Sequence, residues 1–269
     1  TTGDTHSYGF RRGRSTADAI EQVRNALGRK HSPKWVLEGD IKGCFDNISH
    51  EWLLAHVPMD KGVLRKWLKA GYFEGNALFP TESGTPQGGI ISPVLANLAL
   101  DGLQSKLAGL FRTVRDARAA KVNFVRYADD FIITSSSREL LEEKVKPLVQ
   151  EFMRERGLEL SEKKTLITHV DDGFDFLGWT ARWQGGMLLT KPARKNVKNF
   201  LEKIRGTLRQ MRTARQEDVI DKLNPVLLGW RNYYRYATGA YRAFHQLDFW
   251  IWERVGRWLR KKHGDASWP

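Results

Sequence analysis

The stretch FVRYADDFIITS, residues 124–135, constrains the fold more than any other part of the chain. Phe124, Val125, Phe131, Ile132 and Ile133 form an apolar, β-prone run. Asp129 and Asp130 interrupt it side by side. Taking carboxylates out of water is costly unless something compensates them. In one continuous strand the two side chains would face opposite sides of a sheet. A tight hairpin at Ala128-Asp129-Asp130 would instead project at least one of them from its tip. Whatever fold the chain adopts must bring positive charge to this point or leave it at an edge.

A second acid arrives in the same manner. KWVLEGDI, residues 34–41, reads as a strand bounded by Pro33 and Gly43, and it carries Asp40 at its end. Two strands that each deliver an acid from an apolar run can set carboxylates a few ångströms apart, where like charges repel. Divalent cations offset that repulsion, and aspartate oxygens suit Mg²⁺, which completes its shell with water and substrate phosphates. Two metals about 4 Å apart stabilise the attacking and leaving oxygens of phosphoryl transfer. The plainer reading is that each Asp caps a turn through backbone N–H groups. Asp40 and the Gly-rich stretch SGTPQGG shift the balance toward phosphoryl transfer.

The remaining pattern is mixed. RSTADAIEQVRNALG predicts a first helix with Ser15 as N-cap, Asp18 three residues on, a buried stripe of Ile20, Val23 and Leu27, and Gly28 as stop. Further helices are expected near 49–57 and 61–70, another opening at Ser92-Pro93 with Ser92 as N-cap, and a helical stretch over 137–156 capped by Ser137 that Pro147 should kink or divide. FDFLGWTARWQGGMLL predicts a hairpin turning at Gly185-Gly186. After Lys191-Pro192 the pattern is helical. Strands and helices alternate without the rhythm of a doubly wound sheet, so the expected class is α+β with a helical appendage.

Charge changes where periodicity does. Residues 190–269 hold 18 Lys and Arg against 7 Asp and Glu, whereas the first 189 residues hold 26 against 24. A basic, aromatic-rich segment points to a polyanion, most simply nucleic acid. Asn224-Pro225 reads as a helix start, with Leu227, Trp230 and Tyr234 on one face and Arg231 and Arg235 stacked four apart on another. In DFWIWERVGRWLRKK, Trp252, Val255 and Leu259 are expected inward, and Arg254, Arg257 and Lys261 form a basic stripe suited to RNA backbone. The single cysteine, Cys44, rules out an internal disulfide and reads as packing. No apolar run is long enough to span a membrane.

The blocks SYGFRRGRSTADAI, GDIKGCFDNISH, GTPQGGIISPVLANLAL, FVRYADDFIITS, GLELSEKKT, FDFLGW and LNPVLLGWRNYYRYA resemble, in order, those of the reverse transcriptase-maturases encoded by bacterial group II introns. The resemblance implies a right-hand polymerase: a palm of antiparallel sheet with flanking helices over 33–189, a remnant of fingers over 1–32, and an α-helical thumb, the maturase domain, over 190–269. It implies Asp40, Asp129 and Asp130 as catalytic acids holding two Mg²⁺ ions, with the Ile41 carbonyl as a further ligand. Phe45 matches the aromatic that excludes a ribose 2′-OH by bulk, and Asp46 is expected to make a structural hydrogen bond. Gln87, Lys164, Arg11 and Arg14 are implied at the nucleotide, and Phe176, Leu177 and Gly178 as the primer grip.

The implied function is RNA-directed DNA synthesis from dNTPs on an RNA template with a DNA primer. Binding of the group II intron RNA would assist splicing and mobility, and target DNA would be a partner of the full-length protein. The implied setting is the bacterial cytoplasm, without a membrane. An upstream fingers segment and downstream regions are expected in a longer protein. The competing readings are a splicing-only maturase that binds RNA without polymerising, and a domesticated reverse transcriptase of a CRISPR or antiphage system.

Overall fold

The computed structural model describes residues 3–74, 77–79, 83–85 and 89–263. The chain divides into two compact units, Thr1–Leu177 with Arg182–Leu188 and Gly178–Ala181 with Leu189–Pro269.

The first unit opens with α1 (Thr16–Leu27), β1 (Trp35–Gly39), α2 (Cys44–Asn47), α3 (His50–His56) and α4 (Lys61–Leu68). A short hairpin, β2 (Tyr72–Glu74) and β3 (Ala77–Phe79), precedes α5 (Ser92–Leu100), α6 (Leu103–Ala108) and α7 (Val114–Ala120). Then come β4 (Asn123–Tyr127), β5 (Asp130–Ser135), α8 (Arg138–Leu140), a π-helical turn (Leu141–Val145), α9 (Lys146–Arg154) and β6 (Leu166–His169). Three further strands, β7 (Phe174–Phe176), β8 (Trp179–Gln184) and β9 (Met187–Pro192), form a small sheet of that order, and parts of β8 and β9 fall in each unit.

The main sheet is antiparallel with strand order β4-β5-β1-β6. Its central strands read as continuous apolar runs because both faces are covered: Val36 and Leu37 of β1, and Phe131 through Ser135 of β5, are buried. Leu37, Phe124, Phe131 and Ile133 share one core with Leu95, Ala99 and Leu100 of α5 and with Val149, Phe152 and Met153 of α9. Fully burying such a side chain contributes roughly 1.5–3 kcal/mol. Helix α1 starts as its sequence predicts: the Ser15 side chain accepts from the Asp18 N–H, and the Asp18 carboxylate accepts from the Ser15 N–H. Its stripe of Ile20, Val23 and Leu27 is buried.

Three local expectations meet the structure here, and one of them changes. Ile91, not Ser92, is the N-cap of α5, because the Ser92 N–H already bonds to the Gly89 carbonyl and winds the chain one residue early. The helical stretch is divided as expected: Pro147 stands in the first turn of α9, directly after the π-helical turn. Widened turns of this kind accommodate a break in the helical hydrogen-bond ladder. The Gly185-Gly186 turn forms as predicted, with φ of 61° and 81°.

The second unit contains α10 (Arg194–Gln210), α11 (Gln216–Tyr234) and α12 (Ala240–His263). Phe200, Ile204, Leu208, Val219, Leu223 and Trp258 form its core. Phe200, Trp230 and Tyr234 stack in succession at 4.6 Å centroid spacings, and Trp179 meets Tyr234 at 4.9 Å. Two expectations are corrected here. Helix α11 begins at Gln216 and carries Pro225 in its interior, since Val219 and Leu223 already bury a stripe ahead of the proline. Trp252 is 56% exposed, and Trp258 takes the inward place. The buried stripe of α12 runs through Leu247, Ile251, Val255 and Trp258, one position round the helix from Trp252. No helix among the described residues is long and apolar enough to cross a membrane.

Candidate active site

The hairpin that joins β4 to β5 closes on the pair Tyr127–Asp130 and leaves Ala128 and Asp129 as its two-residue loop. Ala128 has a φ of 56°, a left-handed conformation that costs an alanine on the order of 1 kcal/mol. The surroundings impose it. The Arg126 guanidinium, fully buried, donates to the Ala128 carbonyl (3.2 Å), the Asn97 side-chain oxygen (3.0 Å) and Asp101 Oδ1 (2.6 Å). Asp101 Oδ1 also accepts from Arg11 (2.6 Å), so two arginines share one carboxylate. Burial presses the Arg126 pKa down, and Asp101 and Asp4 oppose that pressure.

Residues 6–8 lie along the free edge of β4. The Arg126 N–H donates to the His6 carbonyl and the Tyr8 N–H to the Arg126 carbonyl, a parallel bridge centred on Ser7. Gly9 then passes beneath the loop, where a Cβ would lie 2.2 Å from the Ala128 nitrogen. The side-chain amide of Asn97 holds the Gly9 carbonyl at 3.0 Å.

Across the sheet, Gly39 of β1 is the register partner of Phe131 of β5. The ring of Phe131 occupies the place of the missing side chain, 2.1 Å from where a Cβ would stand. One step further along this antiparallel pair, Asp40 comes opposite Asp130. Both line a cavity of about 150 Å³ with Glu38, Lys164, Asp175, Phe176 and Leu177. Lys164 Nζ stands 3.3 Å from both carboxylate oxygens of Asp40. The Asp40 carbonyl accepts from the Ser161 N–H (2.8 Å), and Ile41 bridges to Leu160. Partial burial, then Asp129, then Asp40 push the Asp130 carboxyl up to about 6, with Lys164 opposing.

Among the described residues, no three His, Cys, Asp or Glu side chains stand as a ready-made metal cage. The donor chemistry nevertheless fits Mg²⁺, which takes one or two carboxylates and fills the rest of its shell from water and phosphate. The mutual repulsion that raises Asp130 is what such a cation would relieve.

The other expected residues divide. Phe45 is half-buried against the palm core and meets Phe10 edge-on at 6.3 Å. Phe176 and Leu177 line the cavity, Leu177 at a φ of 51°. In the second unit, the Gly178 carbonyl accepts from the Tyr234 hydroxyl (3.0 Å), itself bonded to Asn196 (3.0 Å). Arg11 is engaged with Asp101 and Ser7, and Arg14 with the Thr5 and Ser7 carbonyls. The structure thus shows these two arginines inside the N-terminal network. Gln87 lies outside the described residues. Cys44 is buried, and burial and then Asp129 push its thiol up to about 12.

Arg254, Arg257 and Lys261 share one cleft of the second unit; Arg231 and Arg235 lie exposed on α11 and just past its end, and Arg235 stacks over Tyr236 at 4.6 Å. Sequence reasoning missed Glu38, whose carboxylate accepts from Thr168 (2.8 Å) and whose pKa burial raises. Its spacing of two from Asp40 along one strand was the available signal. It also missed Arg126, which carried none beyond being a charge in an apolar run.

An antiparallel sheet with acids on the facing ends of two neighbouring strands, packed on one side by helices, defines a polymerase palm. The chain belongs to the reverse transcriptase (RNA-dependent DNA polymerase) family, which its residues 1–181 match, and residues 197–269 match the group II intron maturase-specific domain. The chain is 31% identical over 239 residues to the group II intron-encoded protein LtrA of Lactococcus lactis subsp. cremoris, covering 65% of this chain and 39% of that protein. It is 31% identical over 210 residues to protein YkfC of Escherichia coli, covering 65% of this chain and 54% of that protein. In fold it is similar to apo telomerase from Candida tropicalis, with a TM-score of 0.51 at 14% identity over 74% of this chain and 40% of that one.

Proposed function

We propose that this chain is the polymerase and RNA-binding part of a group II intron-encoded reverse transcriptase, which extends a DNA primer on an RNA template from dNTPs and binds the intron RNA. The observation that carries this reading is the placement of Asp40 opposite Asp130, with Asp129 in the adjoining loop, at one end of the palm sheet. Asp40, Asp129 and Asp130, with the Ile41 carbonyl, would hold two Mg²⁺ ions. When bound, these supply charge stabilisation to the attacking and leaving oxygens.

The protein's own groups do the rest. Lys164, an exposed ammonium beside Asp40, offers positive charge and a proton to the leaving pyrophosphate. Phe45 presents bulk to the sugar. Phe176 and Leu177, at the wall of the acidic cavity, support the primer end, and Gly178 follows them in the chain. Gln87 is assigned to the nucleotide by family likeness alone. Arg11 and Arg14 are assigned an indirect part, since their guanidinium groups bond within residues 5–14 and to Asp101.

The test is primer extension on an RNA template by the full-length protein. Asp129→Ala with Asp130→Ala should abolish synthesis while leaving intron RNA affinity in place. Failure of the unaltered full-length protein to extend any primer with Mg²⁺ and dNTPs would overturn the polymerase reading.

A further inference from the structure

Seven basic side chains line a cleft between α10 and α12, about 640 Å³ in volume. Arg205, Arg209 and Arg212, spaced i, i+4 and i+7, line it from α10 and the residues just after it. Arg254, Arg257 and Lys261, spaced i, i+3 and i+7, line it from α12 with Lys262. The two helices run side by side in the same direction. Arg205 lies over the Trp250 ring at 5.9 Å, Trp258 Nε1 donates to the Met211 carbonyl at 3.1 Å, and Lys262 reaches the Ala214 carbonyl. Arg254 lies over the same Trp250 ring at 4.8 Å, so the Arg205 and Arg254 guanidinium groups share one aromatic ring.

Few of these charges are answered. Glu202 pairs with Arg205 (2.5 Å) and Glu253 with Arg257 (3.1 Å), both on the same helix as their partner. Arg209, Arg212, Arg254, Lys261 and Lys262 make no salt bridge among the described residues. Arg205 and Arg254 each keep an Nε that is shut off from solvent without a hydrogen-bond partner. A buried donor left unmade is costly, and like charges across a narrow cleft repel. An anion laid along the cleft offsets that repulsion.

We propose that this cleft is a binding groove for a single phosphodiester strand of RNA, recognised through its backbone. Seven residues of helix rise about 10 Å, so each ladder spans a few consecutive phosphates of one strand. Side chains from neighbouring helices leave room for one strand. The α12 stripe alone does not single out Arg209, Arg212 and Lys262; the pairing of the helices reveals them. The proposal rests on the reading of this unit as RNA-binding and gives that reading a location.

The test measures binding of a fluorescein-labelled oligouridylate, and of an oligodeoxythymidylate, to the full-length protein at several salt concentrations. Arg209→Gln with Lys261→Gln replaces two exposed cations of the groove; Arg115→Gln with Arg118→Gln makes the same change of net charge on α7. The groove pair should lower the slope of log affinity against log salt by about 0.7 for each phosphate no longer neutralised, which is roughly fivefold in affinity per phosphate at about 0.1 M salt. The α7 pair should leave the slope unchanged. Equal weakening with the DNA strand would still support backbone recognition. An unchanged slope for the groove pair, or the same change from both pairs, overturns the groove. Primer extension by the unaltered protein is followed in parallel, so a failure of the polymerase reading is seen separately from a failure of the groove.

Discussion

Asp40, the residue after β1, and Asp130, the first of β5, line one cavity just past the Gly39–Phe131 pair. Only the end of the sheet allows this, because a step earlier the same positions are filled by a glycine and a ring. The Ser161 N–H, bonded to the Asp40 carbonyl, fixes the backbone at Asp40 where the ladder stops.

Ionising Asp130 costs stability, first through its partial burial and then through the nearby Asp129 and Asp40. The Asp130 carboxyl rises from the ordinary 3.8 to about 6, so between these values the folded protein binds more protons than the unfolded chain. Stability therefore falls as pH rises through this window. In metal-free buffer, Asp130→Asn should raise the melting temperature at neutral pH, and the gain should vanish by about pH 4. A melting temperature equal to or below that of the unaltered protein at neutral pH would count against the repulsion.

The Ala128 turn is held by a buried charge. Arg126→Met removes the donor to Ala128, Asn97 and Asp101 and should cost about 3–5 kcal/mol in urea unfolding, toward the lower end because Asp101 keeps Arg11. Arg126→Lys should fall between, since one ammonium cannot reach all three acceptors with the fork of a guanidinium.

Gly9→Ala probes position rather than strength. A Cβ there meets the Ala128 nitrogen, so the loop carrying Asp129 must shift. Primer extension should drop about 10- to 100-fold in kcat with RNA affinity retained, as small displacements of reacting groups do. Weakening of RNA affinity in the same proportion would mean general unfolding instead.

Phe45→Ala should raise ribonucleotide incorporation relative to dNTP by about tenfold, equivalent to roughly 1.4 kcal/mol of discrimination. Competition between the two nucleotides in one primer-extension reaction reads this directly. An unchanged ratio would remove Phe45 from sugar selection.

Cys44 serves as a reporter of the palm core. With its thiol pushed up to about 12, almost no thiolate exists at mildly alkaline pH. Alkylation of the folded protein by iodoacetamide should therefore be slow and track global unfolding. Rapid labelling in native buffer would show that the core beside Asp129 opens locally.

The sequence is most readable where one local rule acts alone. Ser15 and Asp18 announce the α1 capping box, and Gly185-Gly186 announces its turn, because each needs only neighbours. Asp40, Asp129 and Asp130 stand out because acids in apolar runs contradict their surroundings. Glu38 and Arg126 stay hidden, since their meaning comes from β7, α5 and residues 4–9, far away in the chain. Trp252 is misplaced by sequence for a related reason: hydrophobicity alone does not say which of two adjacent tryptophan-bearing faces α10 and α11 will cover.

The sharing of Asp101 by Arg11 and Arg126 has a bearing on how such a chain diversifies. Losing the carboxylate takes the acid from two arginines at once, one of them sealed from water, whereas losing the buried arginine leaves Asp101 still paired with Arg11. Substitution at 126 costs the bonds to Ala128 and Asn97, and substitution at 101 releases both arginines. Lineages should keep the acid longest and exchange the arginines around it, a historical asymmetry written into one bifurcated oxygen.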